Sequence, residues 1–263
     1  MTDERFFMQA GRKIIITGHY GSGKTEFAVS LTMLLASGKI RIQNPARKEF
    51  AESGERAENK ESADHPVTYQ KLALIDLDVV NPYFRSRERR EMLDDVGVRV
   101  FGSVFDTEVT AELPALSADV RAPLEDETCR VIVDAGGNDS GALVLNQFGK
   151  YFTGDDATVL AVVNANRPET ADPAGALGHI RAIEAATGLT VTGIVNNCHL
   201  LRETTAATVI KGHNLCREVC DISGKRLVCD CYPAGIVDPN DLQNLSGSLM
   251  PLGLYMRPTW LDK

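Results

Sequence analysis

Apolar residues along this chain gather into short continuous runs, and longer amphipathic stretches separate them. The runs fall at residues 13–17, 71–76, 98–101, 129–134, 158–163, 190–195 and 225–229. Most are apolar at successive positions rather than alternating, the pattern of strands buried on both faces of a parallel sheet. Helical spacing lies between them at 25–36, 86–96, 172–186 and 204–220. Strand–helix alternation of this kind predicts crossover units. The expected fold is α/β: a three-layer, doubly wound, mainly parallel sheet of about seven strands with helices on both faces, built as one domain over residues 1–263. One stretch breaks the rhythm. Residues 44–65 are polar and dense in charge, where a connection needs only a few residues, and they read as a solvated insertion.

Three of these strand ends carry chemistry. The first run leads into Gly18-His-Tyr-Gly-Ser-Gly-Lys-Thr25, which matches G-x-x-x-x-G-K-[ST] and opens a helix. Its glycines let backbone N–H groups wrap an anion, and the helix N-terminus adds partial positive charge. Lys24 reaches the β- and γ-phosphates, and the Thr25 hydroxyl takes a Mg²⁺ position. The predicted nucleotide contacts are Gly18, His19, Tyr20, Gly21, Ser22, Gly23, Lys24, Thr25 and Glu26. The second run ends Leu74-Ile-Asp-Leu-Asp78, with Asp76 and Asp78 two apart and so on one strand face. The third ends Val131-Ile-Val-Asp-Ala-Gly-Gly137, where Asp134 suits a water-mediated metal ligand. The D-x-x-G spacing lets Gly137 bring a backbone N–H to the γ-phosphate. The predicted metal set is Thr25, Asp76, Asp78 and Asp134, holding Mg²⁺ partly through water. Asp78 and Lys24 are the expected catalytic residues.

The order GHYGSGKT, LIDLDVVNP, VIVDAGG, and later VVNANRP and GIVNN, resembles the MinD/ParA/CobQ-type P-loop NTPases of the signal-recognition, MinD and BioD-like class. The stretch from Asp76 to Glu88 is similar to a DLDxVNPYFRSRE element of one bacterial subgroup. The resemblance implies ATP and Mg²⁺ as cofactors, Asp78 as the residue that positions the attacking water, and Asn196 or Asn197 as the reader of adenine. Pro233, in the segment after the seventh strand, is a further base-pocket candidate. The chain departs from the dimerising members of that class at His19, which stands where they carry a signature lysine, so a homodimer would lack that cross-subunit charge. At 196–199 the sequence reads Asn-Asn-Cys-His, with no aspartate to read guanine, which favours ATP over GTP.

Composition narrows the roles. There are 28 Lys and Arg against 36 Asp and Glu, a net charge of −8, which argues against binding nucleic acid through bulk positive charge. No apolar run is long enough to span a membrane, and the opening MTDERFFMQAGRK does not read as a secretory signal. Six cysteines in a chain of cytoplasmic character read as free thiols. Cys216, Cys220, Cys229 and Cys231 are the candidates for a metal or redox site, though their spacings are not those of zinc knuckles. Arg85, Arg87, Arg89 and Arg90 read as the solvated first turn of a helix or as contacts to phosphate or an anionic partner. The function expected from this set is a slow, Mg²⁺-dependent ATPase that switches its contacts with a protein partner. The alternatives are an ATP-dependent small-molecule ligase or kinase of the CobQ/BioD type, or an Mrp-like metal-cofactor assembly factor.

Overall fold

The computed structural model describes residues 10–38, 69–78, 89–102, 120–137 and 139–256. The polar insertion at 44–65, Arg85 and Arg87 lie outside the described residues. Eight strands form one sheet: β1 (Lys13–Gly18), β2 (Lys71–Leu77), β3 (Val98–Gly102), β4 (Cys129–Ala135), β5 (Ala157–Val163), β6 (Gly193–Asn196), β7 (Arg226–Pro233) and β8 (Ser248–Leu252). Their order is β3-β2-β4-β1-β5-β6-β7-β8, and every neighbouring pair is parallel. Six helices are described: α1 (Lys24–Ala36), α2 (Arg90–Asp94), α3 (Arg121–Glu125), α4 (Asp139–Gln147), α5 (Pro173–Thr187) and α6 (Ala206–Ser223).

The continuous apolar runs explain the layering. In β1 every residue is buried: Ile15 faces the core layer shared with α4, α5 and α6, while Ile14 and Ile16 face the layer under α1. Phe27 and Leu31 fill the α1 layer and Leu145, Ile180 and Val219 the other, so both sheet faces are dry. Local signals stop and start the helices. Asp172 accepts a hydrogen bond from Gly175 N–H ahead of Pro173 at the start of α5. Thr205 and Thr208 form a reciprocal cap on α6. Among the described residues no helix is long and apolar enough to cross a membrane.

The observed fold differs from expectation at the edges. An eighth strand, β8, carries Pro251, and a proline demotes a short run when read from sequence; at the sheet edge it is tolerated because no further strand needs its N–H. β6 is shorter than the apolar run that announced it. The run begins at Thr190, but pairing with β5 starts only at Gly193, since Thr192 already spends its N–H and hydroxyl on the Val159 carbonyl. β7 runs on to Pro233 because β8 pairs along it.

From β1 the sheet grows one way through β4 to β2 and β3, and the other way through β5 to β8. The crossovers therefore diverge beside β1. At such a switch point the carboxyl ends of the strands open a crevice, and the loop after β1 lies there.

Candidate functional site

The loop from Gly18 to Lys24 joins β1 to α1 and is shaped by its glycines. Gly23 sits at φ +80°, and a Cβ there would lie 2.4 Å from Asn197 Nδ2 and 2.8 Å from His199 Nε2. Only glycine allows that approach together with that backbone. Ser22 N–H donates to the His19 carbonyl, and Phe27 N–H to the Gly23 carbonyl, which starts the helix. Three neighbours brace the loop. Arg167 Nε donates to the Gly21 carbonyl at 2.8 Å. Asn197 Nδ2 donates to the Ser22 carbonyl at 2.9 Å and lies 3.3 Å from that of Gly23. Gly137, beyond β4, is packed so closely that a Cβ would collide with the Gly18 carbonyl oxygen. The D-x-x-G spacing therefore delivers Gly137 to the root of the loop.

Three carboxylates converge beneath it. Asp76 on β2 is in register with Asp134 on the adjacent β4. Asp78 follows β2 immediately, and its backbone N–H donates to Asp76 Oδ1 at 3.1 Å. Lys24 Nζ lies 2.9 Å from Asp78 Oδ2, and both side chains are almost wholly buried. Asp134 is 0% exposed, and neither of its oxygens has a hydrogen-bond partner of ordinary geometry. Burial pushes its carboxyl well above the usual range, and Asp76 and then Asp78 add to the rise. Lys24 and the Thr25 hydroxyl work against it. A buried, unmet carboxylate is costly, so its persistence points to a missing positive partner.

The chemistry of that donor set fits Mg²⁺. A hydroxyl and carboxylates supply oxygen ligands, and Mg²⁺ takes few of these directly and keeps several waters. Among the described residues no group of three or more His, Cys, Asp or Glu side chains is arranged to hold a metal alone. The acids are therefore not a closed cage, and a cation there needs Thr25, water and ligand oxygens as well.

The remaining sequence candidates divide. Tyr20 is 65% exposed at the loop tip. His19 Nδ1 lies 2.8 Å from the Tyr20 carbonyl and 3.9 Å from Glu169. Two positions need correction. Glu26 does not turn toward the loop's hollow: its carboxylate accepts the Tyr255 and Met256 N–H groups at 2.6 and 2.8 Å, tying the segment after β8 to α1. Asn196 is fully buried and points inward, donating to the Val209 carbonyl and to Asp230 Oδ1 while accepting from Cys198 N–H. With both amide hydrogens spent, it cannot read a base by donation. Its neighbour Asn197 keeps an unpartnered buried Oδ1. Pro233 closes β7, and its carbonyl holds the turn toward Val237; no described contact joins it to the loop.

All six cysteines are free and buried. Cys216 and Cys220 pack in the layer under α6, whereas Cys229 and Cys231 pack in the layer under α1. Two residues gain weight that sequence alone did not give them. Arg167 braces the loop from the β5 side, and its place after a strand end was the only signal for it. His179, on α5, packs its ring against that of His19, and no motif announces it.

The chain thus joins an open, all-parallel α/β sheet to a glycine-rich strand–loop–helix at β1. No protein-family model matches the chain, and no curated protein sequence matches it. Among solved structures, the cell division protein FtsY from Thermotoga maritima is similar, with a TM-score of 0.47 and 15% identity over 84% of this chain. The match spans 61% of that protein's chain.

Proposed function

We propose that this protein is a Mg²⁺-dependent nucleoside triphosphatase of the MinD/ParA/CobQ-like type that uses ATP, hydrolyses it slowly and acts as a switch on a protein partner. The observation that carries this reading is Asp134, buried among Asp76, Asp78, Lys24 and Thr25 with no hydrogen bond of ordinary geometry to either oxygen. In this arrangement Thr25 and Asp134, with Asp76 beside them, would hold Mg²⁺, which when bound neutralises charge on the phosphates. The loop's N–H groups and Lys24 bind the phosphates, and Gly137 offers its N–H at the terminal one.

The Lys24–Asp78 pair supports a switch. A terminal phosphate competes for the Lys24 ammonium, which frees Asp78 to orient a water. When that phosphate leaves, the pair re-forms. ATP is favoured by the absence of an aspartate at 196–199. Buried free thiols suit a reducing compartment, in keeping with a cytoplasmic protein.

The test is phosphate release from ATP and GTP by the purified protein, with and without Mg²⁺. Slow, Mg²⁺-dependent release from ATP is expected. Asp78→Ala should retain bound ATP and lose release by about a hundredfold. Normal turnover in that variant would remove Asp78 from the chemistry, and preference for GTP would overturn the base assignment.

A further inference from the structure

Two imidazoles at the loop have side chains given no role above. His19 holds the loop's second position, and His179 comes from α5. Their ring centroids are 5.1 Å apart at an interplanar angle of 75°, an edge-to-face contact. The Tyr20 carbonyl, 2.8 Å from His19 Nδ1, can only accept a hydrogen bond, so that nitrogen carries the hydrogen. A neutral His19 then presents Nε2 as a lone pair, which repels an anion. It becomes a donor there only by taking a second proton. His179 Nε2 is buried and has no hydrogen-bond partner. Buried polar atoms nearly always have one, and this atom sits within the electrostatic reach of both His19 and Lys24.

The surrounding charges set the balance. Glu169 Oε2 lies 3.9 Å from His19 Nδ1. On His179, burial opposes a proton most, then His19, then Lys24, and together they hold it down to about 4. Arg167, anchored on the Gly21 carbonyl, is a further cation beside the loop. Two cationic rings in contact repel, so the pair accommodates one proton rather than two. The backbone of His19 also lies close to Gly137. The Cβ position of Gly137, whose N–H is assigned to the terminal phosphate, is 3.3 Å from His19 N.

We propose that His19 and His179 form a subsite for the terminal phosphate of a nucleoside triphosphate, and that the pair takes up one proton from solvent as that phosphate binds. This rests on the nucleoside-triphosphate reading of the site. The arriving dianionic group reverses the local balance of charge, and the imidazolium supplies a cation to a loop whose second position lacks a permanent one. No covalent bond is made or broken. Triphosphate affinity then rises as pH falls through neutrality, and diphosphate affinity does so much less.

The experiment is titration calorimetry of the full chain with Mg²⁺ and ATP, ADP, GTP or GDP near pH 7, repeated in buffers of differing ionisation enthalpy. The dependence of the observed heat on buffer counts the protons taken up. For the wild type, about one proton per bound triphosphate and a small fraction for the diphosphate are expected. His179→Gln and His19→Gln should each lose most of that uptake and bind triphosphate about tenfold more weakly, and His179→Gln should keep diphosphate affinity within about twofold of wild type. Equal uptake with tri- and diphosphate overturns the proposal, as does uptake unchanged in both variants. Binding of triphosphate with no uptake by the wild type sinks the subsite alone. Absence of all nucleotide binding removes the site reading and the subsite with it.

Discussion

Asp134 and Asp230 form an instructive pair. Both are aspartates on strands of the same parallel sheet, and both are 0% exposed. Asp230 on β7 is enclosed by partners: Asn196 Nδ2 donates to Oδ1 at 2.7 Å, and His213 Nδ1 lies 2.8 Å from Oδ2. Burial still raises its carboxyl, but the amide and the imidazole oppose that rise. Asp134 on β4 has no such partners, and its neighbours Asp76 and Asp78 carry the same charge. The Lys24 ammonium, which lowers Asp134, is paired with Asp78. Burial and charge are equal in the two places. The difference lies in unmet hydrogen-bonding capacity, which at Asp230 is closed by the protein and at Asp134 is left open.

The comparison makes opposite predictions for the two residues, and the larger concerns Asp230. Asp230→Ala strands the Asn196 amide and the His213 ring in the core, so it should cost about 3–5 kcal/mol of stability in urea unfolding. Nucleotide affinity of the molecules that remain folded should not change. A loss below about 1 kcal/mol would mean that the network is not the structural element its geometry describes. Asp134→Asn should do the reverse. Removing a buried charge without a partner should leave stability unchanged or raise it by about 1 kcal/mol. Mg²⁺-dependent phosphate release should fall by about a hundredfold. If Asp134→Asn instead unfolded the protein, its carboxylate would be structural like that of Asp230, and the contrast would collapse.

The same contrast explains what could be read in the sequence. The convergence of the loop and the three acids was legible because it depends on local spacing: a strand, a glycine loop and a helix in succession, and aspartates at strand ends. The sheet was legible for the same reason, since unbroken apolar runs demand cover on both faces. Asn196 and Asn197 were not separable, because adjacent residues point to opposite sides and the choice depends on which strand pairs next to β6. The β6–β7 pairing sets Asn196 against Asp230. Glu26 was misplaced because its partners, Tyr255 and Met256, lie more than two hundred residues away along the chain and reach it only through the path of β8. His179 carries no motif at all; it becomes visible only when α5 packs its ring against His19.

The histidines extend the contrast to a smaller and titratable scale. His213 is closed by Asp230, whereas the half-buried His199 and His179 have no anion at hydrogen-bonding distance among the described residues, and both are held down to about 4, first by desolvation. Beside His199 the further charge is Arg167, which lowers it too. In the unfolded chain such groups take a proton near 6.5. Between about 6.5 and 4 the unfolded state therefore binds more protons than the folded one, and stability must rise with pH across that window and be lost on acidification. Discounted for the partial exposure of both rings, the loss between pH 7 and pH 5 should be about 1–2 kcal/mol in urea unfolding. His199→Gln and His179→Gln should each flatten the slope. A slope unchanged in the double variant would show that these rings titrate normally in the folded protein. Saturating triphosphate separates the two. It should shrink the part of the slope that belongs to His179, whose pair with His19 then holds a proton in the folded state, and leave the part that belongs to His199. The ring that meets a ligand would thus stop behaving as a buried neutral group, and the ring that does not would go on opposing the folded state in acid.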